Sequence, residues 1–118
     1  MGTRVERGFT LLELLIVIAI VGILAVTLVP SLLSARARAF DTSTQTCLKE
    51  VGTAQEAIRS DFPFEYDVTF DIATVSACGE ITLLAANVTA DFYSYDARHP
   101  RGQNDYRVQT NTSVTRIP

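Results

Sequence analysis

The chain is poor in the residues that build metal centres and nucleophilic sites, with one histidine and two cysteines among 118 residues. The lone His99 has no cysteine partner at metal-ligand spacing and precedes Pro100 in a turn-rich stretch, so an exposed loop histidine is the expectation. No catalytic constellation, cofactor or metal site is expected. The acids of EYDVTFD (65–71) alternate along an extended segment without the dense oxygen-ligand loop that calcium requires. Charge is scarce in blocks as well: the formal net charge is −3 and both signs are interspersed. With no basic stripe, direct nucleic-acid binding is not expected. There is no internal repeat and no low-complexity linker, and the length corresponds to one domain.

Apolar residues, by contrast, are concentrated at the front. Leu14 to Val29 read LLIVIAIVGILAVTLV, with Thr27 the only polar residue. A helix of that length spans about 24 Å, and the stretch from Phe9 to Leu33 is long enough for a hydrocarbon core of about 30 Å. Arg4 and Arg7 precede it, which places the N-terminus in the cytoplasm by the positive-inside tendency, although Arg36 and Arg38 beyond the run weaken that asymmetry. A cleaved secretory signal is a poor match, because the run exceeds a typical h-region and flows into a helical pattern. A plain uncleaved anchor leaves one residue unexplained, the carboxylate of Glu13 inside the apolar block. Export to an oxidising compartment would make one disulfide the simplest use of Cys47 and Cys78, two buried thiols being the alternative.

Past Pro30, the residues Leu33, Ala37, Phe40, Thr44, Cys47, Leu48, Val51, Ala54 and Ile58 recur at steps of three and four, predicting an amphipathic continuation to about Ser60. Asp61-Phe62-Pro63 should end it. Segments 65–72, 81–84, 88–95, 105–110 and 113–117 read as strands or extended pieces, with 99–104 the clearest turn, and 81–86 would also suit a helical turn. Tyr93, Tyr95 and Tyr106 divide between sheet packing and surface. The expected class is α+β: a long N-terminal helix, apolar in its first half and amphipathic in its second, packed on an antiparallel sheet of three or four strands. Asn87-Val88-Thr89 and Asn111-Thr112-Ser113 match a glycosylation pattern too common to carry weight.

Gly8-Phe9-Thr10-Leu11-Leu12-Glu13, with a short basic leader before it and the apolar run after it, resembles the N-terminal signature of type IV pilins and pseudopilins. The resemblance covers Gly8 to Pro30 and implies a leader (1–8), a membrane or filament-core helix (9–34) and a globular head (35–118). It implies cleavage after Gly8 by a prepilin peptidase, N-methylation of Phe9, and a register role for Glu13 against a neighbour's Phe9 amine. Gly22 and Pro30 become weak points where the helix can unwind as subunits pack. The implied function is structural rather than enzymatic: a subunit held in the inner membrane, in lipid, then polymerised with itself and other pilins by the assembly machinery into a surface filament, whether for motility, adhesion, DNA uptake or secretion. The alternatives are a minor pilin or type II secretion pseudopilin and, from another class, a membrane-anchored binding or enzymatic domain. A Cys47–Cys78 pair would depart from the common pattern, in which the disulfide closes a C-terminal loop.

Overall fold

The computed structural model describes residues 8–61 and 64–118, so the leader residues 1–7 and the expected helix breakers Phe62 and Pro63 lie outside the described residues. The chain divides into two compact units, one ending at Ser34 and the other spanning Ala35–Pro118. Helix α1 (Leu11–Ser60) starts two residues later than the expected Phe9, because Thr10 serves as its cap, and it runs through Pro30 without a break.

The second unit is the α+β head. Four strands, β1 (Thr82–Val88), β2 (Tyr93–Arg98), β3 (Tyr106–Gln109) and β4 (Thr112–Arg116), pair antiparallel in sequence order. Alternation in β2 and β3 explains how the sheet buries one face. Tyr93, Tyr95, Ala97, Tyr106 and Val108 point inward, so all three tyrosines of the sheet are core residues. On the other face, the opposed pair Asp96 and Arg107 forms a bidentate ion pair, with both N–H···O distances 2.6 Å. Against the inner face lie Cys47, Leu48 and Val51 of α1, each fully buried. Burial of an aliphatic side chain of this size contributes about 1.5–3 kcal/mol.

The helix approaches the sheet closely at Gly52. A Cβ there would meet the Tyr93 hydroxyl and the Val108 methyl, both at 3.2 Å. Burial, and next the charge of Glu56, push the Tyr93 phenol up to about 12.

Several expected elements move. The stretch 88–95 is not one strand, because a turn at 89–92 divides β1 from β2, held by the Thr89 N–H to the Phe92 carbonyl at 2.7 Å and the Phe92 N–H to Thr89 Oγ1 at 3.1 Å. Within the ambiguous stretch 81–86, residues 82–86 are strand, and β1 carries on to Val88. Residues 65–72 form no strand, since their acids take local backbone donors instead. Asp67 Oδ1 accepts from the Thr69 N–H and hydroxyl, and Asp71 Oδ1 accepts from the Ala73 N–H to cap a short 3-10 turn (Ile72–Thr74). The β3–β4 hairpin closes at 110–111, with Asn111 at φ 60°, a conformation asparagine tolerates better than most residues.

Candidate functional site

The first unit presents an unshielded apolar surface headed by one acid. From Phe9 to Leu33 every large apolar side chain is exposed, Phe9 at 79% and Val26 at 75% among the most open. Such a helix is long and apolar enough to cross a membrane. At its start, Glu13 answers part of the question the sequence raises. The carboxylate Oε2 accepts from the Thr10 N–H and the Thr10 hydroxyl, both at 2.9 Å, and the Glu13 N–H donates to Thr10 Oγ1 at 3.2 Å. This reciprocal pair is a capping box, in which a threonine cap and a glutamate three residues on satisfy donors that the first turn leaves orphaned. The T-x-x-E spacing was visible in the sequence and signals that box directly, yet the apolar context drew attention to the charge instead.

Gly8 and Phe9 precede the helix in non-helical, exposed backbone, and nothing lies within 4 Å of a Cβ built at Gly8. Further along, a Cβ at Gly22 would also meet open space. Pro30 has no N–H to give the carbonyl of Val26, so α1 is locally short of one backbone bond there. Nearby hydroxyls bond back onto the same helix, Thr27 to the Leu24 carbonyl at 2.9 Å and Ser34 to the Pro30 carbonyl at 3.2 Å.

In the head, a disulfide joins Cys47 on α1 to Cys78 in a short 3-10 turn (Ser76–Cys78), and both residues are buried. Sequence reasoning missed the polar residues of the same helix face. Asp41 and Gln55 are buried and lie on the three-and-four spacing that runs through Thr44, Leu48 and Val51, but a search for apolar periodicity passes over them. Gln55 Nε2 donates to the Tyr95 hydroxyl at 2.7 Å and the Asp67 carbonyl at 3.1 Å, and its Oε1 accepts from the Asp67 N–H at 3.0 Å. Asp41 Oδ1 accepts from the N–H groups of Gln103 and Asn104, and its Oδ2 from the Asn104 amide at 2.5 Å.

The expectation of an exposed His99 is overturned. The residue is 3% exposed, at the end of β2. Its N–H donates to Thr44 Oγ1 at 3.0 Å, its ring stacks on Phe40 at 4.4 Å, and its Nε2 lies 3.2 Å from Glu80 Oε2. Proximity to proline suggested a loop tip, but the turn folds back onto α1 through Asp41 and buries the imidazole. Gly102 permits that closeness, because a Cβ there would sit 2.6 Å from Asp41 Oδ1 and 3.3 Å from the His99 carbonyl. Gly102→Ala is therefore expected to destabilise the head by about 1–3 kcal/mol, read as a lowered denaturation midpoint of the full chain in detergent; an unchanged midpoint would show that the turn relaxes freely.

Comparison with known proteins bears on this arrangement. Residues 3–29 match the family described as the prokaryotic N-terminal methylation motif. Along nearly its full length, the chain is 34% identical over 122 residues to the type IV wide pilus major component PilA4 of Thermus thermophilus, covering 95% of this chain and 93% of that protein. The chain belongs to the type IV pilin family. A second pilin relative, the type IV major pilin protein PilA of Myxococcus xanthus, is 46% identical over 56 residues, which is 48% of this chain and 26% of that protein.

Proposed function

We propose that this pilin is made as a precursor in the inner membrane, with its N-terminus cytoplasmic, and is cut between Gly8 and Phe9 by a prepilin peptidase, the new Phe9 amine then being methylated. The assembly machinery then draws the subunit out of lipid into a homopolymeric surface filament, alone or with other pilins. The observation that carries this reading is the apolar surface of 9–33, wholly exposed on the single chain and directly preceded by an accessible Gly8–Phe9 bond. Lipid satisfies that surface before assembly, and neighbouring helices satisfy it afterwards. The methylation-motif match and the naming of the Thermus relative as a major pilus component support the same reading.

Within the filament, Glu13 exchanges its own Thr10 for the Phe9 amine of a neighbour and so fixes the axial offset between subunits. Gly22 and Pro30 act as the segment where the helix can unwind as it packs, glycine through its low helix propensity and proline through the missing bond. The role is structural, and no catalytic step is assigned to the chain.

Mass spectrometry of the protein recovered from membranes and from sheared filaments tests the scheme. A chain beginning at a methylated Phe9 is expected in both pools. A chain beginning at Met1 in the filament pool would refute the processing step, and cells that keep normal filaments without this protein would remove its major-subunit role.

A further inference from the structure

Beyond assembly, the single histidine sits where one proton changes which atoms can stay in contact. The Arg101 N–H donates to His99 Nδ1 at 3.0 Å, so Nδ1 is an acceptor and the ring proton belongs on Nε2, which donates to Glu80 Oε2 at 3.2 Å. Both ring nitrogens are thereby used, and the ring is held flat against Phe40 with an interplanar angle of 20°. We propose that the turn between β2 and β3 is a proton-operated clasp, closed by neutral His99 and released when His99 takes up a second proton.

The reasoning is steric and electrostatic. A second proton can enter only at Nδ1, the atom that receives the Arg101 N–H. Two N–H groups cannot face one another at hydrogen-bonding distance, so one side must give way. The imidazolium is retained by Glu80, whose bond to it becomes an ion pair, and by the face of Phe40. The Arg101 backbone is therefore the part that moves.

The charged groups around the ring favour the same outcome. Glu80 is held below the usual carboxylate range by Arg101 first and His99 next, so it stays ionised as the imidazole protonates. Arg101 itself lies over Phe40 at 4.4 Å and bonds Glu80 through Nη2 at 2.8 Å, placing its guanidinium close to the new positive charge. From α1 the acid bonded to this turn is Asp41, already occupied by three donors from Gln103 and Asn104. At the strand ends, Arg98 and Asp105 pair with each other at 3.5 Å. Displacement at Arg101 is passed to the bond from the Gly102 N–H to the His99 carbonyl, 2.9 Å, and so to the surface of the turn.

Nuclear magnetic resonance of the full chain in detergent micelles tests the clasp, and because His99 is the only histidine its ring signals need no assignment by mutation. As the ring titrates, the Arg101 amide is expected to shift with the same midpoint and to lose hydrogen-exchange protection by about tenfold. In His99→Gln the amide should not respond across that interval. An Arg101 amide that stays protected while the ring protonates would overturn the clasp. So would a ring that takes no proton while the head is folded, or an identical amide response in His99→Gln.

Discussion

Glu13→Val is expected to leave membrane insertion and cleavage after Gly8 intact while abolishing filaments or reducing them to a small remnant. In the single chain the carboxylate has a local partner, since Thr10 supplies both its N–H and its hydroxyl. Valine removes that half of the capping box but keeps Thr10 as the cap of the first turn, which limits the local cost to about 1 kcal/mol. An apolar side chain in an apolar run also enters a bilayer more readily than an acid does. The large effect appears only in the packed state. A neighbour's Phe9 amine buried among helices without a carboxylate is an uncompensated charge, and breaking a buried pair in this way costs about 3–5 kcal/mol. In the proposed register each subunit would join its neighbours through such a contact, so the loss would recur at every addition. Counting surface filaments and sequencing the N-terminus of the membrane pool in one strain separates assembly from processing. Normal filament numbers would leave Glu13 as a capping residue and nothing more.

Thr10→Val probes the same carboxylate from the other side, with a smaller expected effect. Removing the hydroxyl leaves Glu13 with the backbone donor alone, so filaments should fall in number while Thr10→Ser retains them. Equal filament numbers in both variants would mean that the box does not prepare Glu13 for its neighbour.

The parts of this protein that were legible in the sequence share a physical cause: their signals are periodic or local. The apolar run, the three-and-four spacing beyond Pro30 and the turn-rich 99–104 all report on neighbours a few residues away, and they yield the long helix and the antiparallel sheet. Of the two readings for residues 65–72, strand or extended loop, the structure takes the loop, because alternation is weaker evidence than the chemistry of the alternating residues. Asp67 and Asp71 can each bond a backbone N–H two residues on, and that local bond defeats a ladder. The turn at 89–92 was hidden inside a β-branched and aromatic stretch with no glycine or proline to mark it. His99 and Asp41 were illegible for a different reason. Their burial depends on contacts across 55 residues, from the His99 N–H to Thr44, and across 62 residues, from the Gln103 N–H to Asp41, and no window along the chain contains both partners.

Replacing both Cys47 and Cys78 by alanine is expected to lower the stability of the head by about 3–4 kcal/mol and so to populate unfolded head domains at physiological temperature. The bridge closes a separation of 31 residues, and that segment contains the end of α1, the 65–72 stretch without sheet pairing and two short 3-10 turns. Beyond Ser60 none of these pieces pairs in the sheet, so in the reduced chain that part of the segment gains much of the freedom that the crosslink removes. Consequences should concentrate there rather than in the sheet. Glu80 follows Cys78 by two residues and holds both His99 and Arg101, so loss of the bridge also loosens the support of the β2–β3 turn. The four strands pair in sequence order through short turns and depend less on the crosslink. A fragment beginning at Ala35 offers the cleanest measurement, because the bridged form should be a soluble monomer with its own core while the double alanine form should show a lower denaturation midpoint. Hydrogen exchange should rise first between residues 64 and 80 and only later in β2 and β3. Equal midpoints for the two forms would mean that the core around Leu48, Val51 and Tyr95 holds the segment without help, and the bridge would then be dispensable for the head.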